Sequence, residues 1–223
     1  MQNIYPIKDR FVCAFLIAED GGLTLVDTGT GGASKAILAK IAEIGRQPHD
    51  LKRILITHCD PDHVGSAAAL KAATGAVIYA SAQEAAAMRR GKPSRPFQGN
   101  AFTKALFGLM GSTIMKITPV AADELLAEGD VLPVLGGLHV LSTPGHTPDH
   151  ISFYAPEIGA LFVGDSMNAM GGKLQFLRGP VTWDYDVGMA SVEKQAALGA
   201  TTVYSGHGPV VAGEDVRFPV AVG

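Results

Sequence analysis

Residues 57–63 read Thr57-His58-Cys59-Asp60-Pro61-Asp62-His63, which places four His or Asp side chains within six positions, directly after the apolar run Arg53-Ile54-Leu55-Ile56. A divalent cation needs several N or O donors converging at about 2.0–2.2 Å, and so dense a cluster supplies them locally. The preceding run reads as a strand, so the donors fall in the loop at its C-terminal end. Three later segments each end an apolar run in a Gly-flanked His or Asp: Thr143-Pro144-Gly145-His146-Thr147, Val163-Gly164-Asp165-Ser166 and Ser205-Gly206-His207-Gly208.

In this order, spread over 57–208, the four segments resemble the metallo-β-lactamase-fold hydrolases, the glyoxalase II and lactonase-like superfamily, whose usual first motif is His-x-His-x-Asp-His. The resemblance covers nearly the whole chain. It implies an α/β (α+β) fold, a four-layer αββα sandwich, with two divalent metal ions: zinc first, manganese or iron as alternatives. One ion would be held by His58, Asp60 and His146, the other by Asp62, His63 and His207, with Asp165 bridging them. The chain departs from the pattern at position 60, where Asp stands in place of His.

That exchange can be weighed by charge. With histidine at 60, two divalent ions, two ligand carboxylates and a shared hydroxide leave one net positive charge, and Asp60 takes it to zero. A less positive core lowers the pKa of metal-bound water less strongly. The expectation is a more alkaline optimum than in an Asp60→His variant.

The implied chemistry is metal-assisted hydrolysis of a small ester, thioester, lactone or phosphoester. One ion polarises the scissile carbonyl or phosphoryl oxygen while the other stabilises the leaving group. Asp62 and His63 are the catalytic candidates, Asp62 also holding or shuttling a water proton. The substrate-binding residues stay unassigned, because fold does not settle substrate. The alternative from another class is an iron-containing redox protein, motivated by the carboxylate at 60, since a diiron oxidoreductase branch of the family carries Glu there.

Two further residues are candidates for orienting a ligand from behind. Asp27, in Val26-Asp27-Thr28-Gly29, ends a strand as Asp165 does; its plain alternative is a turn cap. His150 lies near His146 and is read as a hydrogen-bonding or packing neighbour, not a ligand. Cys59 is read as a spacer within the motif. Tyr154, Tyr185 and Tyr204 are read mainly as packing residues.

At 223 residues, with 47% hydrophobic and 17% charged side chains, the chain can bury a large core, which excludes disorder. A net charge of −3 and a pI near 6.1 give no electrostatic case for nucleic acid. The N-terminal stretch lacks the basic start and long apolar run of a secretory signal, and no apolar stretch is long enough to span a bilayer. The expectation is a cytoplasmic protein acting on a small molecule, without stable membrane association; a homodimer is compatible. Cys13 and Cys59 form no disulfide framework.

Periodicity places a hairpin at 11–18 and 23–26, a helix at 33–44, strands at 53–56 and 76–80 and a short helix at 64–73. The second half repeats the pattern, with strands at 138–142, 151–154, 160–163 and 202–204 and a helix at 185–198. Leu25-Val26-Asp27-Thr28 aligns with Phe162-Val163-Gly164-Asp165, and Ile56-Thr57-His58 with Tyr204-Ser205-Gly206-His207, which suggests a duplicated unit. One domain, 1–223, is expected, with a lid-like helical insertion at about 81–119. That insertion carries a turn-rich stretch, Gly91–Phe97, and an apolar stripe, Phe102, Ala105, Leu106, Leu109 and Met110. Its basic residues Arg89, Arg90, Lys92 and Arg95 could face phosphate or carboxylate groups of a substrate; the plainer reading is a solvated face.

Overall fold

The computed structural model describes residues 3–95, 116–176 and 178–220. Two six-stranded sheets stack face to face, and helices cover their outer sides, giving the αββα sandwich.

The first sheet runs in chain order through β1 (Asn3–Asp9), β2 (Val12–Glu19), β3 (Gly22–Val26), β4 (Leu51–Leu55), β5 (Val77–Ala80) and β6 (Glu124–Leu125). The first three strands are antiparallel. Helix α1 (Ser34–Glu43) then carries the chain over to β4, which runs parallel to β3, with Leu25 beside Ile54 and Val26 beside Leu55. The second sheet holds β7 (Val131–Leu132), β8 (Leu138–Ser142), β9 (Ile151–Ala155), β10 (Ala160–Gly164), β11 (Thr202–Ser205) and β12 (Val211–Ala212). Here β8, β9 and β10 are antiparallel, and α5 (Tyr185–Ala196) carries the chain to β11, parallel to β10. The β3-α1-β4 and β10-α5-β11 units therefore have the same topology, as the internal alignments suggested.

Alternation along the strands explains the layers. Phe15 and Ile17 of β2 face inward, packing with Phe153 and Phe162 between the sheets, whereas Leu16 between them faces outward toward Ile37 and Ile41 of α1. On β10, Phe162 points inward and Leu161 and Val163 outward, toward Met189 and Val192 of α5. Strands buried on both faces read as continuous apolar runs, and each large side chain so buried stabilises the fold by about 1.5–3 kcal/mol.

The structure adds β1, β6, β7 and β12 to the expected strands. β6, β7 and β12 have two residues each, too short for a periodic signal. β1 carries Pro6, tolerated because β1 is an edge strand. The helix expected at 64–73 is instead two: α2 (Pro61–Val64), which takes in the end of the metal motif, and α3 (Ala67–Thr74). At the break the Gly65 N–H donates to Gly29 C=O at 3.0 Å, and the loop lies so close that a Cβ at 65 would be 2.6 Å from both the Gly31 nitrogen and the Thr30 carbonyl carbon. Within 81–119, Ala82–Arg90 is a regular helix, α4, whose Ala85, Ala87 and Met88 join the outer core, and Gly91 closes it at φ +63°. The 102–110 stripe lies outside the described residues.

Candidate metal centre

All the sequence-selected donors arrive at one edge of the sandwich. Residues 57–63 follow β4, His146 follows β8, Asp165 follows β10 and His207 follows β11. Two backbone hydrogen bonds stitch the sheets together at this edge, from Cys13 N–H to Gly206 C=O at 2.8 Å and from Ile151 N–H to Thr57 C=O at 3.1 Å. Asp60 is extended and Pro61 opens the single turn of α2, so Asp60 faces one side of the edge while Asp62 and His63 start the helix on the other.

The donors gather in overlapping groups, His58 with Asp60 and His146, Asp62 with His63 and His207, and His58 with His63 and Asp165. In the first, Asp60 Oδ2 is 3.1 Å from His146 Nε2 and 3.6 Å from His58 Nε2. In the second, His207 Nε2 is 3.5 Å from Asp62 Oδ2. Asp165 reaches both, with Oδ1 3.2 Å from His63 Nε2 and Oδ2 3.2 Å from His207 Nε2 and 3.5 Å from His146 Nε2. Ligands held tetrahedrally at about 2.0–2.2 Å stand roughly 3.3–3.6 Å apart, so this donor spacing fits divalent cations. Among the described residues, no hydrogen bond reaches the buried atoms His58 Nε2, His63 Nε2 and Asp165 Oδ1. Buried polar atoms are normally satisfied, and a cation would satisfy all three.

The rings of His63, His58 and His207 are held from behind. Asp27 Oδ2 lies 2.8 Å from His63 Nδ1, and Asp27 Oδ1 accepts the Thr57 N–H at 2.9 Å. Thr57 Oγ1 lies 3.0 Å from His58 Nδ1, and the Phe11 carbonyl lies 2.9 Å from His207 Nδ1. His150 belongs to none of the donor groups. Its Nε2 accepts the Asp165 backbone N–H at 3.1 Å while Nδ1 meets Thr143 Oγ1 at 2.8 Å. Partners of this kind fix the tautomer and direction of a ligand.

The charges are strongly coupled. Burial opposes ionisation of Asp165, yet His207 and His63 hold its carboxyl well below the usual range. Burial also pulls His63 down, and the carboxylates of Asp165 and Asp27 outweigh it and raise the ring well above its ordinary value. The same Asp165 charge pushes His207 up to about 9. His150, deeply buried and near other imidazoles, is held well below its ordinary value.

Two residues that sequence reasoning passed over are central here. Arg95, read as part of a solvated basic face, is buried, with Nη1 and Nη2 donating to Asp60 Oδ1 and Oδ2 at 2.6 and 2.7 Å. It is drawn in because a carboxylate at 60 offers a two-oxygen partner that imidazole would not. Glu84 on α4 is fully buried and accepts from Cys59 N–H at 2.8 Å, Ser94 Oγ at 2.8 Å and Thr147 Oγ1 at 2.6 Å. It ties the first motif to the His146 loop. Cys59 itself turns into the outer core. No sequence signal marks Glu84 beyond its acidity on an otherwise apolar helix face.

A cavity of about 1010 Å³ opens over His146, Asp165 and His207. Its walls include Phe11, Phe15, Met170, Phe176 and Val181, with Lys8 and Arg10 at one side. Phe11 stacks on the His207 ring, centroids 6.0 Å apart. Of the tyrosines, Tyr154 donates its hydroxyl to Leu198 C=O and Tyr204 stacks on Phe162 in the core, while Tyr185 stacks on Phe176.

The model of the metallo-beta-lactamase superfamily matches residues 7–207. A hydroxyacylglutathione hydrolase of Cereibacter sphaeroides is 32% identical over 87% of this chain, which spans 61% of that relative. The Bacillus subtilis protein YobT is 26% identical over 98% of this chain and 90% of its own length. Among solved structures, a metallo-beta-lactamase family protein of Thermus thermophilus superposes with a TM-score of 0.69 at 28% identity, over 95% of this chain and 74% of that one.

Proposed function

Because the chain belongs to the metallo-beta-lactamase superfamily and is a metal-dependent hydrolase, we propose that it cleaves a small ester, thioester or lactone with two divalent ions, zinc first, held by the two donor groups that share Asp165. The observation that carries this reading is the set of buried, unbonded donor atoms, His58 Nε2, His63 Nε2 and Asp165 Oδ1, around that carboxylate. When bound, the ions supply the Lewis acidity and activated water of metal-assisted hydrolysis.

The chain's own residues do the rest. Asp62, whose Oδ2 lies 3.5 Å from His207 Nε2, would take and return a proton at the reacting face. Asp27 and the Phe11 carbonyl hold His63 and His207 in one orientation, so their Nε2 atoms need no reorganisation when the ions bind. The apolar walls formed by Phe11, Phe15, Met170, Phe176 and Val181 suit a hydrophobic acyl or alkyl body, and Lys8 with Arg10 suits a carboxylate or other anion at its far end. Hydroxyacylglutathione, the substrate in the relative's name, is a thioester that carries carboxylates, and it belongs in this class.

The alternative is an iron-containing redox protein, motivated by the carboxylate at 60; the similarity to hydroxyacylglutathione hydrolases favours hydrolysis over it. The test is hydrolysis of a panel of thioesters, lactones and carboxylate-bearing esters by the purified protein. Turnover should vanish with chelator and return with zinc or manganese; full turnover after complete metal removal refutes the proposal.

A further inference from the structure

We propose that Arg95 is a built-in competitor for one of the two cations: its guanidinium holds Asp60 and His146, so the His58–Asp60–His146 group takes up a metal only as Arg95 withdraws, and the group of Asp62, His63, His207 and Asp165 loads first. This rests on the reading above that both groups hold metal.

The geometry is that of a plug. The fork of Arg95 takes both oxygens of Asp60, at 2.6 and 2.7 Å, and Nη2 lies a further 3.2 Å from His146 Nε2. Asp60 Oδ2 and His146 Nε2 are themselves 3.1 Å apart. A cation bound to both at about 2.0–2.2 Å would use the same two lone pairs that face Nη2. One positive group must leave for the other to enter, because two cations cannot share those lone pairs in a site with little water.

The plug is also fixed at its base. Arg95 Nε donates to Val181 C=O at 2.7 Å, and only 4% of the side chain is exposed. Among the described residues nothing comparable guards the other group. Among the described residues, the only ion-pair partners within reach of Asp62 and Asp165 are histidines. The two groups therefore start from different electrostatic states although their donor spacing is alike.

The direction of one mutational effect separates this role from an ordinary supporting one. If Arg95 merely steadied Asp60 as a ligand, removing it would loosen the metal, typically by about 10- to 100-fold. If Arg95 competes, removing it tightens the metal. The experiment is zinc titration of the metal-free full chain, wild type and Arg95→Met, by calorimetry with a competing chelator, with zinc per chain counted after dialysis.

Wild type should bind one equivalent tightly and a second at least about tenfold more weakly, and Arg95→Met should tighten the second by at least about tenfold. Zinc should also raise Tm further in Arg95→Met than in wild type, since the ion then neutralises an otherwise unpaired Asp60. Arg95→Lys, which keeps a charge but loses the fork, should give an intermediate tightening and serves if the Met variant does not fold. Looser second-equivalent binding in the variants, or two equal equivalents in wild type that Arg95→Met leaves unchanged, overturns the proposal. His63→Ala isolates the underlying reading: zinc uptake identical to wild type in that variant would overturn the metal assignment itself, whatever Arg95 does.

Discussion

Asp27 Oδ2 lies 2.8 Å from His63 Nδ1 with both side chains buried, so an acid at the end of β3 sets the direction of an imidazole that begins in a different loop. The acid holds this place at φ +58°, a conformation Asp and Asn adopt at lower cost than other side chains. Asp27→Asn should therefore keep the backbone and lose the charge behind His63. We expect about a 10- to 100-fold loss of zinc affinity with a near-native circular dichroism spectrum; unchanged zinc affinity would show that His63 needs no partner.

Metal uptake should release protons. In the metal-free chain, the Asp165 charge outweighs burial and leaves His207 at about 9, and His63 is raised as well. Both must be neutral to ligate. Calorimetry at a pH of about 7.5 in buffers of different ionisation enthalpy should report at least one proton released per chain, fading above the His207 value of about 9.

The same shifts fix the stability of the metal-free chain. A histidine with a raised pKa contributes stability that is full below its unfolded value, 6.5, and is lost as pH rises through about 9. Asp165, depressed by His207 and His63, contributes in the opposite sense, losing its stabilisation as pH falls below the ordinary carboxylate range. Denaturant midpoints across pH should fall on both sides of a maximum between these limits, and a midpoint that keeps rising above the His207 value of about 9 would contradict the coupling.

Gly206→Ala should damage the site before the fold. A Cβ there would meet His63 Cε1 at 2.5 Å and Asp165 Oδ1 at 2.9 Å. The overlap should cost about 1–3 kcal/mol, read as a lower Tm, together with a loss of zinc binding; an Ala variant with wild-type zinc affinity would show that these two side chains can yield.

The Asp60–Arg95 pair carries no net charge, like the imidazole usual at position 60 in the family. Asp60→His alone leaves Arg95 buried without a counter-ion, which should destabilise the metal-free chain by about 3–5 kcal/mol. The double variant Asp60→His, Arg95→Met should recover most of that loss. In the metal-loaded enzyme Arg95 has withdrawn and the imidazole removes one negative charge, so the pH-rate profiles of the single and the double variant should both lie on the acidic side of the wild type's. Equal stability of single and double variants would sink this account of the pair.

How much of this was legible beforehand depends on what each residue answers to. The strands around Leu25 and Phe162 announce themselves because they are buried on both faces, those around Ile54 and Val203 through shorter apolar cores, and His58, Asp62, His63, His146, Asp165 and His207 because each ends such a strand or starts the turn after it. Asp27 was legible through its likeness in position to Asp165. The edge strands were not, since β6, β7 and β12 are two residues long. Neither was Arg95, 35 residues from Asp60 in sequence. An arginine among basic neighbours looks solvated until the partner that pulls it inward is known. Gly65 was a further blind spot, because the close backbone approach between α2 and α3 comes from the 29–31 loop.

The most direct test of the central claim is anomalous diffraction at the zinc edge from crystals grown with zinc. The account predicts a strong peak bounded by Asp62, His63, His207 and Asp165, with a weaker one beside His58, Asp60 and His146. Density at these atoms without an anomalous signal, in crystals saturated with zinc, would contradict it.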